Sequence, residues 1–253
     1  MFIPLHDANS LKYIKLQYVT LSLIVINVVV YLLMSVSGDS AQAAAIGLGY
    51  IPAIVHDLAV LPVDFYIVPP DFTYVTYAFL HADIFHLGGN MLFLWVFGDN
   101  VEDALGHIRF LIFYILCAAA GAFLHGMIVP FSEAPLIGAS GAIAGIVSAY
   151  LLLHPRVKVW VLAFGRIPLR IPAIYPLVLW VLTQFGMLVF GGSEQISWPA
   201  HVGGIIAGAL LIVIMKRRSV PLFDRAIVSP RAVVVEKQPE PATREAEPVK
   251  WGR

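Results

Sequence analysis

Six long apolar runs dominate the chain, at about 19–36, 85–101, 110–129, 140–153, 174–190 and 199–215. Short polar stretches separate them. Most approach the roughly 20 apolar residues that a helix needs to cross a bilayer core about 30 Å thick. The pattern predicts six helices in an all-α, polytopic membrane bundle. It also predicts three regions: an N-terminal segment at 1–17, a six-span membrane domain at 18–215 and a tail at 216–253. The tail carries Pro221, Pro230, Pro239, Pro241 and Pro248 among charged residues, and a mostly disordered segment is expected there. The segment after the first run, about 37–75, is apolar for a loop, and we expect it to lie partly in the membrane interface.

Composition agrees with this reading. Apolar residues make up 59% of the 253 residues and charged residues 13%, about half the charge of an average soluble domain. The 16 Lys and Arg balance the 16 Asp and Glu, so no basic excess points to nucleic acid. The one cysteine, Cys117, excludes an intrachain disulfide. With six spans, every Lys and Arg falls on one side, and the loops 37–84, 130–139 and 191–198 hold none. By the positive-inside rule both termini are cytoplasmic. Five or seven spans would scatter the charges.

Polar groups inside apolar runs are costly and mark function or helix packing. The first such place is Gly138-Ala139-Ser140-Gly141, ahead of the fourth run. That run has about 14 residues, or roughly 21 Å at the helical rise, too short for a core about 30 Å thick. Ser140 then lies below the membrane surface, and the chain ahead of it descends as loop. Such backbone is tolerated where it is buried in protein or lines a water-filled cavity. Ser140 also starts a helix, where free N–H groups suit a developing oxyanion. A small-residue packing stripe of Gly141, Gly145 and Ser148 is the other reading.

The second place is His201, at the start of the sixth run, with Gly204 and Gly208 on its helical face. Packing that face against Gly141 and Gly145 would bring His201 beside Ser140. A serine and an imidazole within hydrogen-bond reach form a minimal nucleophilic pair. An interfacial histidine capping its helix is the alternative. The third place is His81-Ala-Asp83-Ile-Phe-His86-Leu-Gly-Gly-Asn90. His86 and Asn90 are four apart, stacked on one face, and could donate to an oxyanion. Helix–helix hydrogen bonds or a histidine metal site are the alternatives. No carboxylates join these histidines at zinc-ligand spacing, so no metal and no cofactor is expected.

Taken in order, these features resemble the rhomboid family of intramembrane serine proteases. The resemblance rests on GxSG at Gly138 to Gly141, His201 with Gly204 and Gly208, His81-x4-His86-x3-Asn90, and an ExxxG at Glu102 and Gly106. It spans about residues 15 to 215. It implies a rhomboid-like six-span bundle in which Ser140 is the nucleophile and His201 the general base. His86, Asn90 and the backbone N–H of Ser140 would hold the oxyanion, and His81, Gly138, Gly141 and Gly204 would support the site. Two positions depart from the family pattern. Phe72-Thr73 stands where many members carry Trp-Arg, and Ala144 stands where many carry an aromatic that stacks on the histidine.

The resemblance implies cleavage of peptide bonds in or near the transmembrane segments of other membrane proteins. It also implies an integral protein of a bacterial inner membrane, working in the lipid bilayer without nucleic acid. The sequence leaves the oligomeric state open. The alternative from another class is a non-catalytic rhomboid-like protein that binds membrane clients. A transporter would call for internal repeats or embedded carboxylates, and the acids Asp99, Glu102 and Asp103 instead cluster at one helix end.

Overall fold

A computed structural model describes residues 2–191 and 196–224. In chain order the elements are β1 (Phe2–Asp7), α1 (Tyr18–Val36), α2 (Asp39–Leu48), α3 (Pro52–Val55), α4 (Thr73–Thr76), α5 (Ile84–Leu105), α6 (His107–Ile128), α7 (Ser140–Leu153), β2 (Lys158–Ala163), β3 (Ile167–Pro172), α8 (Ile174–Phe190) and α9 (Trp198–Met215). The fold is mostly helical. Among the described residues α1, α6 and α9 are long and apolar enough to cross a membrane, and α7 and α8 are shorter apolar helices.

The helix α7 is the centre. Every residue from Gly141 to Tyr150 is buried. It packs against α5, α6, α8 and α9, and α9 packs equally closely on α6. Glycines make these approaches possible. A methyl group on Gly204 would fall on the carbonyl oxygen of Gly141, and one on Gly208 would fall on Gly145. One on Gly145 would also strike the Cys117 sulfur. Ser148 adds a hydrogen bond from its Oγ to the carbonyl of Ile205 at 3.0 Å. The stripe read from the sequence is therefore a backbone-to-backbone seam. Lipid tails are as apolar as the side chains, so close packing and interhelical hydrogen bonds, rather than a hydrophobic drive, hold such a seam.

At the far end of α5 from the motif histidines, Glu102 ties the bundle together. Its carboxylate is fully buried and accepts from Val19 N at 3.0 Å, Thr20 N at 2.8 Å and Thr20 Oγ1 at 2.6 Å. His107 Nδ1 lies 2.5 Å from it. It thereby satisfies N–H groups at the start of α1 that have no intrahelical acceptor. Gly106 (φ +84°) makes the turn into α6, a conformation that suits glycine.

The all-α expectation needs one correction. β1, β2 and β3 form a three-stranded antiparallel sheet in that order. Val159 and Val161 of β2 are buried and alternate with exposed Lys158 and Trp160, the two-residue period of a strand with one covered face. The strands fell outside the apolar runs, so a reading built on bilayer-length segments passed over them. The segment 2–7 is thus an ordered strand, and buried Asp7 accepts from Tyr150 Oη at 2.7 Å and Asn100 Nδ2 at 3.0 Å.

Residues 216–224 turn back under α7. Phe223 N and Asp224 N donate to the carbonyls of Leu152 and Leu153 at 2.7 and 2.9 Å, which have no acceptor role left inside their own helix. The rest of the expected tail, 225–253, lies outside the described residues. The loop of 37–75 is largely folded. Tyr50 exchanges backbone hydrogen bonds with Leu136 at 3.1 and 2.8 Å, and Thr76 Oγ1 donates to Leu48 O at 2.6 Å. These contacts hold the segment without the Trp-Arg pair.

The seam predicts a sharp size limit. Gly204→Val should lower stability by about 1–3 kcal/mol or more, the usual cost of overpacking. Thermal unfolding in detergent measures it. Gly186→Ala is the control: nothing lies within 4 Å of the added methyl, so its midpoint should be unchanged or slightly raised.

Candidate active site

The fold gathers the three polar places at one end of the bundle. Asp83 begins the assembly by capping α5. Its side chain accepts from Phe85 N at 2.8 Å and His86 N at 2.9 Å, as a good N-cap does. His86 thus sits in the first turn of α5, half-buried, with Asn90 one turn on and buried. The His81 ring meets the His86 ring edge-on at 5.1 Å. His81 is buried with both ring nitrogens unpartnered, and Asn90 Nδ2 is likewise buried without a partner among the described residues.

Gly138 lies against these side chains. Its φ of +123° suits only glycine. A methyl there would also come 2.6 Å from His86 Nε2 and 3.9 Å from Asn90 Nδ2. The loop is pinned by Gly138 N, which donates to Tyr77 O at 2.9 Å. Tyr77 is itself buried, with its hydroxyl on Ala118 O at 2.8 Å. The chain then enters α7 at half-buried Ser140. The first N–H groups of that helix have no intrahelical acceptor, and they begin two residues after Gly138, which lies against His86 and Asn90.

The start of α9 approaches from the other side. Ser197 is its N-cap, accepting from Ala200 N at 3.2 Å, and its Oγ lies 2.8 Å from His125 Nδ1 at the end of α6. The carbonyl oxygen of Ala200 sits against Gly141, 3.3 Å from where a methyl would be. The residues next to Ser140 and His201 are therefore in contact, and the Gly141–Gly204 seam continues that contact one turn deeper. Among the described residues no hydrogen bond joins the Ser140 hydroxyl to the His201 ring. Such bonds are often long until substrate is bound.

Three residues that the motifs did not point to complete the surroundings of His201. Gln184 of α8 accepts from His201 Nδ1 through Oε1 at 2.8 Å, while its Nε2 donates to Trp180 O at 3.0 Å. The second bond fixes which end of the amide faces the imidazole. Because Oε1 only accepts, Nδ1 must carry the ring proton and Nε2 the lone pair. Trp180 stacks on the ring at 6.2 Å and 29°, and Trp198 meets it edge-on at 6.0 Å. Ala144 is buried and too small to reach that role. A signal for Gln184 was present: it is an amide in an otherwise apolar run, and only three residues of α8, Gln184 among them, are buried.

The chain is similar to known proteins of one family. The family model described as "Rhomboid domain" matches residues 71–218. "Rhomboid protein 1, mitochondrial" of Saccharomyces cerevisiae is 31% identical over 137 residues, covering 53% of this chain and 38% of that protein. "Rhomboid protease GlpG" of Yersinia pseudotuberculosis is 26% identical over 192 residues, covering 76% and 60%. "Rhomboid protease GluP" of Bacillus subtilis is 29% identical over 151 residues, covering 59% and 27%. In each case the chain spans less than two thirds of the relative's length. The relatives come from mitochondria as well as bacteria, so they do not single out the bacterial inner membrane expected from the sequence. The matched region takes in more than half of the chain and all three polar places, and we conclude that this integral membrane protein belongs to the rhomboid family.

Proposed function

We propose that the chain is an intramembrane serine endopeptidase working through Ser140 and His201. The observation that carries this reading is the contact of Gly141 with Ala200 and Gly204, combined with an imidazole whose Nδ1 is committed to Gln184. His201 Nε2 is then the free base. It takes the Ser140 proton as the oxygen attacks the scissile carbonyl. His86, Asn90 and the first N–H groups of α7 receive the oxyanion, since unpartnered buried donors such as Asn90 Nδ2 are already in place when the charge develops. His201 next protonates the leaving amine, and water hydrolyses the acyl-enzyme by the reverse sequence.

The substrates in this reading are transmembrane proteins. A helix in lipid keeps every carbonyl paired, so cleavage requires a segment that unwinds near its end. The proposed layout has six spans, α1, α5, α6, α7, α8 and α9, with both termini on the side that carries the Lys and Arg residues. The 14 residues of α7 then leave Ser140 below the opposite surface, in a recess that admits water.

Incubation of the purified full chain with a transmembrane substrate tests the proposal. Wild type should cleave it, and Ser140→Ala and His201→Ala should each abolish cleavage without lowering the unfolding temperature. The double variant should be little worse than either, because the pair acts as a unit. Wild-type rates in either single variant would remove the assignment, and an inert wild type would favour the client-binding alternative.

Asn90→Ala should lower kcat by about 10²–10³, the range for loss of one oxyanion donor, with little change in KM. A change in KM alone would make Asn90 a docking residue.

Gln184→Leu should lower kcat by about 5- to 10-fold, the equivalent of one hydrogen bond of about 1 kcal/mol. KM and thermal stability should hold. Gln184→Glu, which keeps an acceptor oxygen at the same reach, should restore much of the rate. A loss of stability without that rescue would reduce Gln184 to a packing residue.

A further inference from the structure

At the opposite end of the bundle, where α9 ends beside the start of α6, four cations line one cleft of about 870 Å³: Arg109, Lys216, Arg217 and Arg218. No carboxylate lines it among the described residues. The nearest acids are already committed. Asp103 accepts from the backbone N–H groups of Lys12, Tyr13 and Ile14 at 2.9, 2.7 and 2.7 Å, and Glu102 holds the start of α1. The cluster exceeds what the fold uses. Arg217 is structural, with Nε on Asp103 O at 3.3 Å and its guanidinium over the Tyr13 ring at 5.8 Å. Lys216 donates to Val220 O at 2.7 Å. Arg109 reaches only Met215 O, at 3.3 Å, and the Arg218 side chain makes no hydrogen bond among the described residues. One cation would suffice to complement the negative end of the α9 dipole. Four in one partly enclosed cleft repel one another unless an anion sits among them.

The walls specify which anion. Leu105 and Ile214 line the same cleft, and Ile214 is 79% exposed and Ile108, beside Arg109, 77% exposed. Both lie on helices that are apolar along their length. A ligand seated here meets guanidinium groups, which match phosphate oxygens in pairs, at one end and bare aliphatic surface at the other. We propose that this cleft binds the phosphodiester headgroup of an anionic phospholipid, with its acyl chains lying along α6 and α9. Basic pockets between membrane helices are suited to such headgroups. The assignment is independent of the catalytic reading.

Native mass spectrometry of the full chain in detergent tests it, with phosphatidylglycerol, phosphatidylcholine or glycerol 3-phosphate titrated in. Phosphatidylglycerol should bind in preference to phosphatidylcholine. Each cation removed near a membrane surface should weaken it about 5-fold, so Arg109→Gln with Arg218→Gln should weaken it about 25-fold. The charge-matched pair Arg166→Gln with Arg170→Gln, on the exposed β2–β3 hairpin, should leave it unchanged. If the double variant unfolds, Arg218→Gln alone should give the 5-fold loss. Equal binding of the two lipids would overturn the proposal, as would an equal loss in the hairpin control. Displacement of phosphatidylglycerol by equimolar glycerol 3-phosphate would overturn it in favour of a free-phosphate site.

Discussion

The backbone contact between α7 and α9 is the constraint on which the rest depends. Gly141 meets Gly204, and Gly145 meets Gly208, with no room for a methyl group at either crossing. Side chains at those positions would hold the two helix axes apart. Without them, the starts of α7 and α9, which carry Ser140 and His201, come together through Gly141 and Ala200. The same economy of size recurs around it: Gly121 takes the Ala200 carbonyl and the Tyr77 hydroxyl, and Gly203 fits against Ala120 O. Small residues here serve geometry, since in lipid they gain little from the hydrophobic effect.

A close seam fixes where the backbones lie but not how a side chain turns. The orientation of His201 comes from α8, through Gln184 and Trp180. Most of α8 is otherwise poorly covered, with Leu179, Leu182, Val189 and Phe190 exposed. Its one buried amide is therefore the polar link between this peripheral helix and the centre. The exchange is economical of space: Ala144 on α7 is small, and the aromatic surface against the imidazole is supplied from the facing helix. In the mechanism we propose, the position of α8 and the orientation of His201 are coupled through that one bond.

The two ends of the bundle are built on different physics. At the site end, Asn90 Nδ2 and the His81 ring nitrogens are buried without a partner among the described residues. At the other end, Glu102 and Asp103 accept from backbone N–H groups of the N-terminal region, and among the described residues no carboxylate lines the cleft of Arg109, Lys216, Arg217 and Arg218. In the readings we propose, one end receives a transient negative charge and the other holds a resident one. The three-stranded sheet stabilises this second end by joining the N-terminal strand to the hairpin between α7 and α8.

The sequence alone determined the apolar runs, the one-sided distribution of Lys and Arg, and the glycine spacing that predicted the α7–α9 seam. These are local or periodic properties, and a bilayer imposes length and composition strongly enough for both to be legible. Ser140, His201, His86 and Asn90 were legible as polar residues in expensive places. Only the tertiary structure decided what surrounds them. Gln184 and Trp180 lie about 20 residues before His201 and reach it because α8 packs on α9. Asp83 is one residue of a loop until α5 begins at Ile84. The β-sheet brings residues 2–7 to residues 158–163, a pairing that no local period encodes. The four-cation cleft arises because α6 starts where α9 ends. Each of these depends on which helices become neighbours, and neighbours are chosen by packing over the whole bundle.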